Sequence, residues 1–251
     1  MMHIHYNLSD NKKPVLLLIH GFLGSMQQWE HIEHQLLVHY SILKIDLPGH
    51  GSSHESKTPF TAADFIEALN FILKQEHIDR LTILGHSMGG YLGAAFAKAN
   101  PKKIISLIML NSIAGKDPKE KRLLRDRAIQ LIQKHKEAYV SMAVNNLFTK
   151  VELEEFKERI HKMKMKAQTI SIESIVHSLL YMRDRESSLQ ELKNLDIRVI
   201  YIFSLQDDII EPALIKTECD YLNIQGKTID CGHMSLLTNP ANILEKMYFI
   251  E

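Results

Sequence analysis

Short apolar runs alternate with longer amphipathic stretches along this chain, and this alternation limits the possible folds more than any other feature. The runs cover residues 15–19, 41–45, 81–84, 104–110 and 197–203. Each run is apolar on both faces, which is typical of strands in a parallel sheet that helices cover on both sides. The alternation therefore predicts an α/β chain with a mostly parallel, doubly wound sheet.

The amphipathic stretches between the runs are predicted to be helices. They cover residues 26–38, 61–75 and 87–99. Ser25 is expected to cap the first of them. The third ends before Pro101, because the residue that precedes a proline disfavours helical geometry.

The alternation stops between about residues 114 and 195, where the chain is charged and helical throughout. The pattern there predicts helices over residues 119–146, 152–166, 172–183 and 189–192. Strand–helix alternation resumes afterwards with a last strand over 227–231 and a terminal helix over 241–249. Residues 114–195 therefore read as a helical insertion between two strands of the sheet.

Composition narrows the classes of function. The 251 residues carry 30 Lys and Arg against 30 Asp and Glu, so no overall positive charge favours nucleic acid or an anionic membrane. Two cysteines, Cys219 and Cys231, are too few for a disulfide framework, and residues 1–13 lack the apolar segment of a signal peptide. We expect a cytoplasmic monomer or homodimer that binds neither nucleic acid nor membrane, and no histidine group has a metal-ligand spacing.

The strongest chemical signal is the segment Gly85-His86-Ser87-Met88-Gly89-Gly90, which follows a strand and opens a helix. A tight strand-to-helix turn exposes a serine as a nucleophile, and side chains two residues to either side of it would collide. The N–H of Met88, at the helix N-terminus, is placed to stabilise a developing oxyanion. A serine that merely caps the helix is the simpler alternative.

A nucleophilic serine needs a base and an acid that orients the base. His233, on a turn after the predicted last strand, is the candidate base. Asp207 and Asp208 follow the strand at 197–203, and the residues alone do not decide between them. A histidine base predicts activity that rises from roughly pH 6 to 7.5.

The second oxyanion donor is expected in the loop after the first central strand. The segment His20-Gly21-Phe22-Leu23-Gly24 lies there. Gly21 is expected to let the backbone turn, so that the N–H of Phe22 points at a substrate carbonyl.

At this point the sequence resembles the α/β-hydrolase superfamily over nearly its whole length. The matching segments are His20-Gly-Phe-Leu23, Asp46-Leu-Pro-Gly-His-Gly-Ser52, Gly85-His-Ser-Met-Gly-Gly90, Asp207-Asp-Ile-Ile210 and Gly232-His233. Aligning Ile209 and Ile210 with the family's apolar pair selects Asp207 as the acid, with Ser204 and Glu211 in place of the usual glycine and proline. Anchoring the alignment on Pro212 instead would select Asp208. The resemblance implies an α/β-hydrolase core over residues 1–113 and 196–251, with a helical cap over 114–195.

The resemblance also implies the reaction. Ser87, His233 and Asp207 would cleave a small to medium carboxylic ester, a small-molecule substrate, through an acyl-enzyme, with Phe22 and Met88 forming the oxyanion hole and no cofactor. A lyase similar to the menaquinone-pathway synthase is an alternative, although Tyr91 stands where that subfamily has an arginine. Carbon–carbon bond hydrolysis and a non-enzymatic ligand receptor on the same fold remain further alternatives.

Overall fold

A seven-stranded sheet organises the chain, and the computed structural model describes residues 2–248 of it. The strand order is β1-β3-β2-β4-β5-β6-β7, with β1 antiparallel to β3 and each other neighbouring pair parallel. The strands are β1 (Tyr6–Leu8), β2 (Val15–Ile19), β3 (Ser41–Ile45), β4 (Leu81–His86), β5 (Ile104–Leu110), β6 (Arg198–Ser204) and β7 (Lys227–Ile229). The predicted α/β class with a mostly parallel, doubly wound sheet is confirmed.

Eleven helices pack around this sheet in the described part of the chain. They are α1 (Glu30–Leu36), α2 (Ala62–Gln75), α3 (Met88–Ala99), α4 (Lys119–Asn145), α5 (Lys150–Glu155), α6 (Lys157–Gln168), α7 (Ile172–Asp184), α8 (Leu189–Asn194), α9 (Pro212–Leu222), α10 (Ser235–Thr238) and α11 (Pro240–Tyr248). The terminal helix predicted over 241–249 is α11. Phe249, like Met1 and residues 250–251 of the predicted core, lies outside the described residues.

The two faces of the sheet bury separate apolar clusters. Leu17 and Ile19 of β2 belong to the larger cluster, which includes α2, α3 and the insertion. Leu16 and Leu18 belong to the cluster formed with α1 and α11. Successive side chains of a strand point to opposite faces, so the continuous apolar run in the sequence reflects burial on both sides.

The helix predicted over residues 26–38 was wrong in its bounds and in its cap. A 3₁₀ turn over Met26–Trp29 precedes the shorter helix α1, and the Ser25 side chain makes no capping hydrogen bond. Asp46 takes over that role from another loop, because its Oδ1 accepts the N–H of Met26 at 2.7 Å. A cap supplied from 20 residues away in the chain leaves no local sequence signal.

Other elements also differ from the sequence predictions. The helix predicted over 152–166 is two helices, α5 and α6, that meet at Phe156, and the first begins with a capping box between Thr149 and Glu152. The last strand ends at Ile229 rather than Cys231. The sequence analysis missed β1, a three-residue strand at the edge of the sheet.

The helices α4 to α8 all lie between β5 and β6 in the chain, and the two ends of this insertion are joined. The N–H of Ser188 donates to the carbonyl of Ala114 at 2.9 Å, and Nη2 of Arg185 donates to the carbonyl of Gly115 at 3.0 Å. On the core side, Glu218 accepts the N–H groups of Ala114 and Gly115, each at 2.8 Å. The insertion therefore leaves and rejoins the sheet at one place.

Candidate active site

Ser87 lies on a sharp turn between β4 and α3. Its φ of 52° and ψ of −119° are unusual for a residue other than glycine, and its side chain makes no helix-capping hydrogen bond. The N–H of Ser87 donates to the carbonyl of Leu110 at 3.0 Å, which fixes the turn against the end of β5. Such a conformation costs about 1–3 kcal/mol, and residues that adopt it concentrate at functional sites.

The glycines around Ser87 are required by close backbone contacts, as the sequence predicted. A Cβ at Gly85 would lie 2.6 Å from the carbonyl oxygen of Gly89, and a Cβ at Gly89 would overlap the carbonyl oxygen of Ile19. Because backbone atoms cannot move aside as a side chain can, helix α3 is able to approach β2 and β4 this closely only with glycine at these positions.

His233 and Asp207 form a buried pair. Oδ2 of Asp207 lies 2.6 Å from Nδ1 of His233, and Asp207 and His233 are 3% and 2% exposed respectively. Oδ1 of Asp207 accepts the N–H groups of Ile209 and Ile210 at 2.8 and 2.9 Å. Asp208, the other candidate acid, is exposed to solvent. This arrangement holds the His233 ring so that Nδ1 carries the proton and Nε2 is free to accept one.

The loop that carries His233 is anchored by two side chains that the sequence analysis did not identify. The carbonyl of His233 accepts a hydrogen bond from Nδ2 of Asn111 at 2.7 Å and lies 3.1 Å from Nε2 of His86. Burial, followed by the nearby charge of His233, lowers the pKa of His86 to about 3. His86 is therefore a neutral donor at physiological pH. The rings of His86 and His233 lie 5.0 Å apart, centroid to centroid, which brings the His233 loop next to the Ser87 turn.

Asn111 has one signal in the sequence, its position directly after a buried strand. The carboxyl ends of parallel strands are where functional side chains converge. Its Nδ2 also donates to Oγ of Ser204, and its Oδ1 accepts the N–H of Ser204 at 3.2 Å. Asn111 thus joins the ends of β5 and β6 to the His233 loop.

The loop after β2 contains the second expected oxyanion donor, but the predicted role of Gly21 was wrong. The left-handed residue in this turn is Leu23, with φ of 59°, whereas Gly21 has no positive φ. Gly21 is required because a Cβ there would lie 2.8 Å from Nδ1 of His86 and 3.3 Å from Cβ of Ser87. The glycine therefore allows this loop to approach the serine.

His20 holds this loop in place. Its Nε2 accepts the N–H of Leu47 at 2.8 Å, and its Nδ1 lies 2.7 Å from the carbonyl of Gly21. Burial is the largest of the influences that lower the pKa of His20 to about 3, so the ring is neutral and bridges the loops after β2 and β3.

The two residues expected to donate hydrogen bonds to an oxyanion both lie close to Ser87 in the structure. Met88 is the first residue of α3, and Phe22 lies in the loop that contacts Ser87 through Gly21. Within residues 2–248, neither the N–H of Phe22 nor that of Met88 has a hydrogen-bond acceptor. Over the same residues no hydrogen bond joins Oγ of Ser87 to His233, a contact that often tightens only when substrate binds.

One further thiol, that of Cys231, lies near the site. Burial raises the pKa of the Cys231 thiol to about 11, although the thiol contacts Oγ of Ser204 at 3.2 Å.

Among the described residues, no three His, Cys, Asp or Glu side chains are grouped to hold a metal ion. Nor does any helix of residues 2–248 combine the length and apolarity needed to cross a bilayer.

The geometry above can be compared with known proteins. A family model described as alpha/beta hydrolase fold matches residues 14–240. The chain belongs to the α/β-hydrolase family. The matched region includes β2 through the start of α11, so it covers the whole of the site and the insertion.

Solved α/β-hydrolase structures share the fold of this chain at low identity. A thermophilic esterase from Thermogutta terrifontis has a TM-score of 0.89 at 21% identity, over 98% of this chain and 91% of the other. An enol-lactonase from Burkholderia xenovorans has a TM-score of 0.89 at 18% identity, over 98% and 95%.

Curated relatives match this α/β-hydrolase over shorter stretches. A putative 2-succinyl-6-hydroxy-2,4-cyclohexadiene-1-carboxylate synthase from Bacillus subtilis is 27% identical over 137 residues, which is 50% of this chain and 48% of the relative. A putative esterase/lipase from Haemophilus influenzae is 32% identical over 99 residues, 39% of this chain and 34% of the relative. The matched stretches thus span half or less of these relatives.

Proposed function

We propose that this α/β-hydrolase cleaves small to medium carboxylic esters, with Ser87 as nucleophile, His233 as general base and Asp207 as the acid that orients the base. One observation carries the proposal. The Asp207–His233 pair, at 2.6 Å, approaches the unusual Ser87 turn through His86. The esterase and enol-lactonase among the structural neighbours agree with this reaction type.

The proposed reaction has two halves. Oγ of Ser87 attacks the ester carbonyl carbon while Nε2 of His233 takes the hydroxyl proton, and the charge on Asp207 stabilises the imidazolium that forms. The oxyanion accepts hydrogen bonds from the N–H groups of Phe22 and Met88. Collapse of this intermediate breaks the ester C–O bond, and His233 donates its proton to the departing alcohol. Water activated by His233 then hydrolyses the acyl-enzyme and frees Ser87.

We further propose that residues 114–195 form a cap over this site, on a core of residues 1–113 and 196–251. Ser174 of α7 lies against Gly49 of the loop after β3, and the turn between α4 and α5 contacts the His233 loop. Ser87 is only 7% exposed, so substrate is expected to reach it by movement of part of the cap.

The first experiment compares p-nitrophenyl esters from acetate to dodecanoate with wild type, Ser87→Ala and Ser52→Ala, the last an exposed serine. Ser87→Ala should lose at least about 10³-fold in kcat, whereas Ser52→Ala should retain wild-type rates. A fluorophosphonate probe followed by intact-mass measurement should label wild type once and leave Ser87→Ala unmodified. Turnover that survives Ser87→Ala would remove Ser87 from the mechanism.

A lyase remains the second candidate because of the synthase relative from Bacillus subtilis. Against this candidate, Tyr91 occupies the position after Gly90 where that subfamily has an arginine. The ring of Tyr91 packs under the Arg185 guanidinium at 3.8 Å. Stoichiometric labelling of Ser87 without turnover of any ester would favour this candidate, because the nucleophile would be active and the substrate class different.

A further inference from the structure

In the insertion, the turn that follows α4 and the first residues of α5 contact the peptide groups on both sides of His233. We refer to these residues, 147–152, as the 147–152 turn. Oε1 of Glu152 accepts the N–H of Gly232 at 3.0 Å, and the carbonyl of Leu147 accepts the N–H of Met234 at 3.1 Å. The His233 loop is therefore held from the core through its carbonyl and from the insertion through the two flanking N–H groups.

Glu152 is an unusual residue to find in this place. It is 7% exposed, and a carboxylate is rarely buried so deeply without partners. Its other oxygen, Oε2, accepts the N–H of Thr149 at 2.8 Å. Charged acceptors make stronger hydrogen bonds than neutral ones, so one side chain fixes both the start of α5 and the backbone next to His233.

The absence of a side chain at Gly232 lets the 147–152 turn lie against the backbone next to His233. Its φ is not positive, so the backbone does not require glycine. A Cβ there would lie 2.5 Å from Oε2 of Glu152, 3.1 Å from the carbonyl oxygen of Leu147 and 3.2 Å from the N of Thr149. The space that glycine leaves at position 232 is thus filled by the 147–152 turn.

The loop that carries His233 is short, so each contact to its backbone affects the position of the ring. Only five residues separate the end of β7 at Ile229 from the start of α10 at Ser235. A functional side chain must be held within about 0.5 Å of its productive position. The hydrogen bond from Nδ1 to Asp207 fixes the ring. The backbone on which the ring is mounted is held from the core at the His233 carbonyl and from the insertion at the N–H groups of Gly232 and Met234.

We infer that Glu152 is a positioning residue for His233, so that the general base is aligned only while the 147–152 turn is docked on the core. This inference rests on the proposed function of Ser87, His233 and Asp207. It also identifies the part of the insertion that stays in place during turnover. Movement that admits substrate must occur elsewhere in the insertion, because undocking this turn would misalign the base.

The test uses the full-length chain and the variants Glu152→Gln and Glu154→Gln. Glu154 lies on the same short helix and is exposed, so it is the matched control. In Glu152→Gln an NH2 donor replaces one of the two carboxylate oxygens, so one of the two N–H groups that Glu152 accepts loses its acceptor. We expect kcat on the preferred p-nitrophenyl ester to fall at least tenfold in Glu152→Gln, with KM changed less than threefold, and no change in Glu154→Gln.

A spectroscopic readout separates positioning from a structural role. The proton shared by Nδ1 of His233 and Asp207 should give a downfield proton NMR resonance, assigned by its loss in Asp207→Asn. In Glu152→Gln this resonance should shift or broaden, and in Glu154→Gln it should match wild type. A lower melting temperature with kcat and the resonance unchanged would overturn the inference, as would lower kcat with an unchanged resonance.

Gly232→Ala keeps the inference testable if Glu152→Gln does not fold. It substitutes no catalytic side chain but displaces the 147–152 turn, so it should reproduce the loss of kcat and the change in resonance. A folded Gly232→Ala enzyme with wild-type kcat would contradict the inference. If wild type hydrolyses no ester, the proposed function has failed, and the resonance alone still reports whether Glu152 positions His233.

Discussion

Asp207 contacts His233 through one carboxylate oxygen and its own loop through the other. Oδ2 lies 2.6 Å from Nδ1 of His233, while Oδ1 accepts the N–H groups of Ile209 and Ile210. Burial opposes ionisation of Asp207, but the charge of His233 and these hydrogen bonds outweigh it and leave the pKa of Asp207 below its ordinary value. Asp207 is therefore ionised and fixed at neutral pH.

The adjacent aspartates provide a matched pair of variants. Asp207→Asn should lower kcat by about 10³- to 10⁴-fold, because an amide no longer favours the productive tautomer of the base. Asp208→Asn should change kcat less than about threefold, since Asp208 is exposed. Both are measured as kcat and KM on one ester. A larger loss in Asp208→Asn would transfer the orienting role to Asp208.

Much of the fold and of the candidate site was predictable because its signals are local. The buried runs at 15–19 and 41–45 are β2 and β3 to the residue, and a Cβ at Gly85 would meet the backbone of Gly89 and Gly90, which lie within five residues of it. The alignment of Ile209 and Ile210 selected Asp207, which the structure brings to His233.

The features that were missed depend on residues distant in the chain. Asp46 caps the turn at Met26, Asn111 holds the carbonyl of His233 across 122 residues, and Glu152 reaches Gly232 across 80. No periodicity or spacing encodes such a contact. The three-residue strand β1 was missed for a related reason, because it is defined by antiparallel pairing with β3 rather than by an apolar run.

Two of the buried histidines, His20 and His86, predict a loss of stability in mild acid. Both have folded-state pKa values of about 3, whereas the unfolded chain protonates histidine near about 6.5. As the pH falls below about 6.5, these histidines bind protons in the unfolded state but stay neutral in the folded state. The free energy of unfolding should therefore fall by about 1.4 kcal/mol per pH unit for each histidine, down to about pH 3.

Urea unfolding at pH 7, 6 and 5 checks this slope. His86→Gln should reduce the slope by the roughly 1.4 kcal/mol per pH unit that one histidine contributes. His161→Gln, at an exposed position, should leave the slope unchanged. Asp207 does not contribute to this window. Its lowered pKa stabilises the fold above about pH 4, and that stability is lost only as the pH falls further. Equal slopes in all three proteins would contradict the prediction.

Asp117 at the base of the insertion forms ion pairs with two guanidinium groups. Its carboxylate lies 2.8 Å from Nη1 of Arg185 and 3.2 Å from Nε of Arg125, and Asp117 and Arg185 are almost fully buried. Asp117→Asn would leave the buried guanidinium of Arg185 without its ion-pair partner, so the free energy of unfolding should fall by about 3–5 kcal/mol.

A surface ion pair in the same insertion serves as the comparison for Asp117. Asp126 lies 2.7 Å from Nη1 of Arg183, with its side chain 44% exposed. Because solvent screens such pairs, Asp126→Asn should cost at most about 1 kcal/mol. Denaturant unfolding of both variants gives the difference directly, and similar costs would mean that Asp117 is better solvated than its burial indicates.

Gly89 and Gly93 lie one helical turn apart on α3 and should respond differently to alanine. A Cβ at Gly89 would overlap the carbonyl oxygen of Ile19, a backbone atom of β2, whereas a Cβ at Gly93 would meet only side chains, the nearest being Cγ2 of Ile83 at 3.0 Å. Gly89→Ala must push α3 away from the sheet and should cost about 3 kcal/mol of unfolding free energy.

The same displacement should affect catalysis, because Met88, whose N–H is proposed to stabilise the oxyanion, directly precedes Gly89. Gly89→Ala should therefore lose about 10²-fold in kcat even at temperatures where it is fully folded. In Gly93→Ala the gain in helix propensity, about 1 kcal/mol, should offset the tighter packing and leave kcat unchanged. Urea unfolding and ester kinetics on the two variants test both effects. A stable Gly89→Ala enzyme with wild-type kcat would show that the close seating of α3 on β2 is not what fixes the oxyanion donor.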